Sequence, residues 1–216
     1  MNIPLFTASP LPYSALHAGT RPHTNRHLIG GFAPDPGRLQ HFNDLLELIG
    51  ADHPHVDIDQ LATAARELIA NAPDGHIPNC IRDRFRRAGA IDLMHMDPDW
   101  NTPAAAALVS VIAMNYLHGN DRLLPSTVPI VGWLDGAVMI EVAWPALAQE
   151  VGEYMIFCRV RRVEAGLRGE SRRHFGFTRD QFDDARLAEQ LWQEHCRRSG
   201  STSYLTADSS ARFQVN

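Results

Sequence analysis

Two short stretches of the chain gather the residue types that do acid–base and metal chemistry. In ADHPHVDID, His53 and His55 flank Pro54, and Asp52, Asp57 and Asp59 stand beside them. Proline fixes φ and keeps the stretch extended, so both imidazoles can reach one ion. A carboxylate from Asp57 or Asp59 would complete a zinc-like nitrogen and oxygen set. In MHMDPDW, His95, Asp97 and Asp99 precede Trp100. A carboxylate that orients and charge-stabilises an imidazole makes a general acid–base pair. If the two loops meet, His53, His55, Asp57, His95, Asp97 and Asp99 form a divalent-metal site, and the enzymatic reading is a metal-dependent hydrolase. The structural alternative is that both loops simply lead into helices, with Asp57 capping the next one.

Other catalytic signatures are absent from the sequence. There is no GxSxG elbow, no GxGxxG and no P-loop. Every basic side chain is arginine, which removes a lysine Schiff base and a P-loop lysine. Cys80, Cys158 and Cys196 are odd in number and dispersed, a pattern of reduced thiols in a cytoplasmic protein. The first residues hold prolines and no continuous apolar run, so no signal helix is expected. A formal net charge of -5 gives no global attraction to nucleic acid.

The elements that would position these loops read as helices throughout. Residues 1–34 are rich in Pro, Gly and His and read as an extended or partly disordered arm. Asp35-Pro36 opens a helix with Leu39, Phe42, Leu45, Leu46 and Ile49 at helical spacing, and Gly50 closes it. Asp57 and Gln60 form a capping box for the next helix, whose stripe is Leu61, Ala64, Ala65, Leu68 and Ile69. A third helix runs from about Pro78 to Ala88, with Ile81 and Phe85 inward and its arginines outward. A fourth, from Pro103 to Gly119, is apolar on every side and is expected at the centre of the fold. A run from about Trp133 to Leu167 follows, which Pro145 should kink or split. The last helix starts at Thr178 and is expected to turn Phe182, Ala185, Leu191, Trp192 and Cys196 inward. No segment alternates like a strand. The expectation is an all-α, single-domain bundle of six or seven helices over residues 35–200, with a Pro-rich N-terminal arm and a tail at 201–216.

Between the last two long apolar segments, Leu123-Leu124-Pro125, Val128-Pro129, Gly132 and Leu134-Asp135 resemble the core motif of the bacterial YkvA-like (DUF1232) domain family. The resemblance spans about fifteen residues and the flanking helices. It implies a helix, a Pro-rich turn and a helix, and carries no settled activity. Family aspartates are replaced here by Arg122, Ser126 and Gly136, and Asp135 stands where the family has one. One carboxylate makes a poor hard-metal site, so Asp135 is expected to cap the helix that follows.

The remaining surfaces point to binding. Arg159, Arg161, Arg162, Arg172 and Arg173, close to Phe175 and Phe177, could grip RNA phosphates and stack bases, but interleaved acids favour a solvated face and nucleic acid is not expected. The 123–145 stretch is apolar enough to suggest a peripheral membrane hairpin, yet Asp135, Glu141 and three prolines interrupt it. The favoured reading is a non-catalytic, cytoplasmic protein that binds a protein partner or a second copy of itself, in an adaptor, inhibitor or immunity-type role. The arm, with Phe6, Leu11, Tyr13 and Leu16 among prolines, is the expected docking segment, and no cofactor is expected on this reading.

Overall fold

The computed structural model describes residues 7–17, 28–29, 31–50, 54–72, 75–171 and 175–202. Among them the chain is all-α. A one-turn helix α1 (Tyr13–Leu16) precedes α2 (Pro36–Ile49), α3 (Ile58–Ala70), α4 (Asn79–His95), α5 (Ala104–His118), α6 (Leu134–Leu167) and α7 (Arg179–Thr202). A single antiparallel bridge joins Ile29 to Phe32, and no strand or sheet occurs among the described residues. The chain divides into two compact units, Met1–Ile156 and Phe157–Asn216, with α6 contributing to both.

Local chemistry fixes the helix starts. Asp35 accepts the Arg38 amide at 2.9 Å, and Pro36 fills the first turn of α2. Asp57 and Gln60 form the expected capping box, with Oδ1 to the Gln60 amide at 2.7 Å and the Asp57 amide to Gln60 Oε1 at 2.9 Å. Before α7, the Thr178 amide donates to Gln181 Oε1 at 3.0 Å.

Inside the first unit the centre is α6, not α5. Every residue from Leu134 to Ile140 is buried, at roughly 1.5–3 kcal/mol for each large aliphatic side chain removed from water. On α5, by contrast, Ala104, Ala105 and Leu108 are exposed. An all-apolar helix gives no direction to its own packing, and alanine-rich α5 has little surface to gain by moving inward. The apolar 123–145 stretch is therefore core: Leu123, Leu124, Val131 and Leu134 are fully buried. No helix among the described residues is long and apolar enough to cross a membrane.

Three further expectations change. α4 continues to His95 rather than ending at Ala88, because Gly89 faces open space and Ala90, Ile91 and Met94 are buried behind it. Pro145 lies inside α6 without splitting it. The described part of the arm is folded onto its own unit: α1 packs on α3, Leu11 and Ala15 are buried, and the Ser9 amide and hydroxyl donate to Asp83 Oδ2 at 3.0 and 3.1 Å. Tyr13 remains exposed; Phe6 and residues 18–27 lie outside the described residues.

In the second unit, Phe157, Phe175, Phe177 and Phe182 are buried together. Phe157 stacks on Phe177 at 5.5 Å, Phe177 on Phe175 at 5.9 Å, and Phe182 meets Phe157 edge-on at 5.8 Å.

Candidate functional site

Asp135 is the most densely bonded side chain in the first unit. Its Oδ1 accepts Arg122 Nη2 at 2.7 Å and the Gly136 amide at 2.8 Å. Its Oδ2 accepts the Tyr116 hydroxyl at 2.7 Å and the Leu124 amide at 3.1 Å. Tyr116 in turn accepts the Leu123 amide at 3.0 Å, and Arg122 Nη2 also reaches the Gly132 carbonyl at 2.9 Å. The guanidinium lies 4.3 Å over the Trp133 ring, which meets Phe85 edge-on.

Asp135 is fully buried, and an ionised carboxylate offers about four lone-pair sites, all of which are used here. That leaves no open position for a metal or a substrate proton. Burial, with the Asp135 charge second, pushes the Tyr116 phenol far above its ordinary range, so it stays a neutral donor. The group ties the end of α5, the Pro-rich turn and the start of α6 into one knot. α6 begins at Leu134, so Asp135 lies within its first turn rather than ahead of it. Gly132 has a steric role: a Cβ there would stand 2.6 Å from the Pro125 carbonyl oxygen and 2.7 Å from that of Val128.

A second charged group lies where α4 faces α6. Arg84 Nε and Arg87 Nη1 both donate to Glu141 Oε2, at 3.0 and 2.9 Å. Arg84 also reaches the Cys80 carbonyl at 3.0 Å and the Ser9 carbonyl, and Arg87 lies 4.6 Å over Trp144. Both arginines are buried, whereas Arg82 and Arg86 are exposed. The outward basic face expected for α4 is thus half turned inward, because half-buried Glu141 supplies a countercharge that only the tertiary fold brings near.

The described residues of the two His/Asp loops stand as follows. His55 is exposed, 3.8 Å from Glu47, and Asp57 is an N-cap. His95 is exposed at the end of α4. Asp97 accepts the Asp99 amide at 3.1 Å and stands 3.1 Å from the Tyr154 hydroxyl. Among the described residues, no group of three His, Cys, Asp or Glu side chains gathers to hold a metal; His53 lies outside them. A cleft of about 270 Å³ in this unit is lined by His41, Leu45, Ile112, Asn115 and Asp121, and so includes none of the loop residues.

In the second unit the aromatics proposed to stack bases are core. Arg161 lies 4.7 Å over Phe157, Arg168 5.0 Å over Phe175 and Arg186 5.5 Å over Phe182. Arg159 and Arg162 are exposed; Arg172 and Arg173 lie outside the described residues. A cleft of about 320 Å³ borders Arg168, Phe175, Phe177 and Gln181.

An exposed apolar face lies on α7. Phe182 is buried, but Leu187 is 55 % exposed, Leu191 58 % and Trp192 66 %. Cys196 is exposed as well. This reverses the inward stripe expected from the sequence. One buried anchor at Phe182 closes the small core, and among the described residues the later turns are left uncovered. The sequence signal was present in the narrowness of the stripe, which is hemmed by Asp183, Asp184, Glu189, Glu194 and Arg198. Compared with protein-family models, curated proteins and solved structures, the chain matches none.

Proposed function

We propose that this chain acts by binding a protein, either another protein in an adaptor, inhibitor or immunity-type role or a second copy of itself, with the outer face of α7 as its contact surface. The observation that carries this reading is the exposure of Leu187, Leu191 and Trp192 on one charged helix. Exposed apolar clusters rimmed by polar residues mark interaction sites, and tryptophan is the residue type most enriched among interface anchors. The alternative docking segment, the arm, has Leu11 buried and Ser9 bonded to its own unit. A reducing compartment such as the cytoplasm fits the free cysteines. The resemblance to the YkvA-like family enters as architecture, with Asp135 and Gly132 as the parts that shape the turn.

The test is affinity purification of the tagged full chain from its native cell, beside Trp192→Glu, with bound metal measured on the same samples. A stoichiometric protein that co-purifies with the wild type and is lost with Trp192→Glu is the expected result. Near-stoichiometric zinc or iron with no protein partner would overturn the reading and direct attention to the loops at His55 and His95.

A further inference from the structure

We infer that the occupant of the α7 face is a second copy of this chain, paired antiparallel about Leu191 and Trp192. This rests on the protein-binding reading above and names its partner.

Charge is divided along the helix. In its first half, Arg179 and Arg186 stand against Asp180, Asp183, Asp184 and Glu189; in its second half, Glu194 stands against Arg197 and Arg198. α7 is therefore acidic toward its N-terminus and basic toward its C-terminus. A parallel pairing would set acid on acid and base on base, whereas an end-over-end pairing sets each half on its complement.

The apolar positions give the centre of that pairing. Ala188, Leu191, Trp192 and His195 fall on one face at helical spacing, and Leu191 and Trp192 are its most prominent exposed apolar side chains. A two-fold axis beside them packs Trp192 against its own copy, the central aromatic anchor that a small interface needs. Asp184 and Arg198 lie about two turns to either side of that axis, on the same edge of the stripe. Antiparallel pairing brings Asp184 to Arg198 of the second copy, and two-fold symmetry makes that ion pair twice. Within one chain Arg198 already bonds Glu194 in the next turn, so its guanidinium is held along this helix edge. Leu187, on the flank, extends the apolar contact toward Leu191 of the second copy.

The experiment is light scattering and sedimentation of the full chain over a wide concentration range, with circular dichroism as the control for folding. The wild type should be a dimer. Trp192→Glu, or Leu191→Asp in its place, should raise the dissociation constant by about 30-fold or more with the helical signal unchanged. Asp184→Arg and Arg198→Asp should each weaken the dimer about tenfold at low salt, and the double swap should restore it. A wild type that stays monomeric overturns the second-copy inference while leaving protein binding to stand or fall on the purification above. A dimer that survives both apolar substitutions, or a double swap that restores nothing, overturns it as well.

Discussion

The guanidinium of Arg122 and the carboxylate of Asp135 meet at 2.7 Å with both side chains buried. Around them every lone-pair site of the carboxylate is filled, by one side chain of α5, one of the turn and two backbone amides. A buried pair costs desolvation that its attraction barely repays, but breaking it strands a charge. Its value here is the specific closure of the turn between α5 and α6.

Asp135→Ala should lower stability by about 3–5 kcal/mol, because it leaves Arg122 charged and unpaired in the core. At about 2–4 °C per kcal/mol for a chain of this size, that is a drop near 10 °C in a thermal melt. Tyr116→Phe removes one donor to Asp135 and the acceptor for the Leu123 amide, at about 1–3 kcal/mol. Arg122→Met combined with Asp135→Asn should recover part of the loss. Equal melting temperatures for Asp135→Ala and wild type would show that the knot does not hold the turn.

Gly132→Ala should destabilise more than Gly136→Ala. At Gly132 the added Cβ would meet two backbone carbonyl oxygens, neither of which can rotate away. At Gly136 its nearest neighbour, at 2.7 Å, is the tip of the Leu117 side chain, which can shift at about 1–3 kcal/mol. Chemical denaturation of the two variants gives the order, and the reverse order would discount the close approach in the turn.

Ile130 sits in that same turn with φ +67°, a left-handed conformation that costs a non-glycine residue about 1–2 kcal/mol and suits a β-branched side chain least. Ile130→Gly should therefore stabilise the chain by about 1 kcal/mol despite the added freedom of the unfolded state. A denaturation midpoint below that of the wild type would mean that the half-buried isoleucine packs more than it strains.

Acid should release the arm. The Ser9 amide, and then its hydroxyl, hold the Asp83 carboxyl below its ordinary value. A carboxyl depressed in the folded state adds stability that is complete above its unfolded pKa and is lost as pH falls through the folded one. Hydrogen exchange at the Ser9 amide should be slow near neutral pH and accelerate, beyond the intrinsic trend, below about pH 4. Asp83→Asn should weaken the latch near neutral pH and differ little from the wild type well below about pH 4; unchanged protection of the Ser9 amide in that variant at neutral pH would show that Asp83 does not hold the arm.

The helices were legible from short-range chemistry, since Asp35, Asp57 and Thr178 cap as their spacing implies and Gly50 and Gly119 follow the ends of α2 and α5. What a helix faces was much less so. Arg84 looks like a surface residue until Glu141, 57 positions later, gives it a partner against which it is buried. α5 is apolar all round and so carries no sign of which side is covered, while α7 shows an ordinary amphipathic stripe that the described residues leave exposed. Asp135 was readable as a helix-start residue, but Arg122 and Tyr116 as its partners were not, because their pairing depends on the path of the turn. The His/Asp loops stood out by composition, and in the fold Asp57 and Asp97 each accept a backbone amide.

The fold of the arm also sets an order of events during synthesis. Ser9 bonds a residue 74 positions downstream, and Leu11 and Ala15 fill a core whose other walls are made later. The segment from Ser9 to Ala15 thus has nothing to dock on until α3 and α4 have been made and packed. Contacts of such sequence separation form late, after the loop they close has already lost its freedom. The segment from Ser9 to Ala15 is accordingly the last part of its unit to be secured.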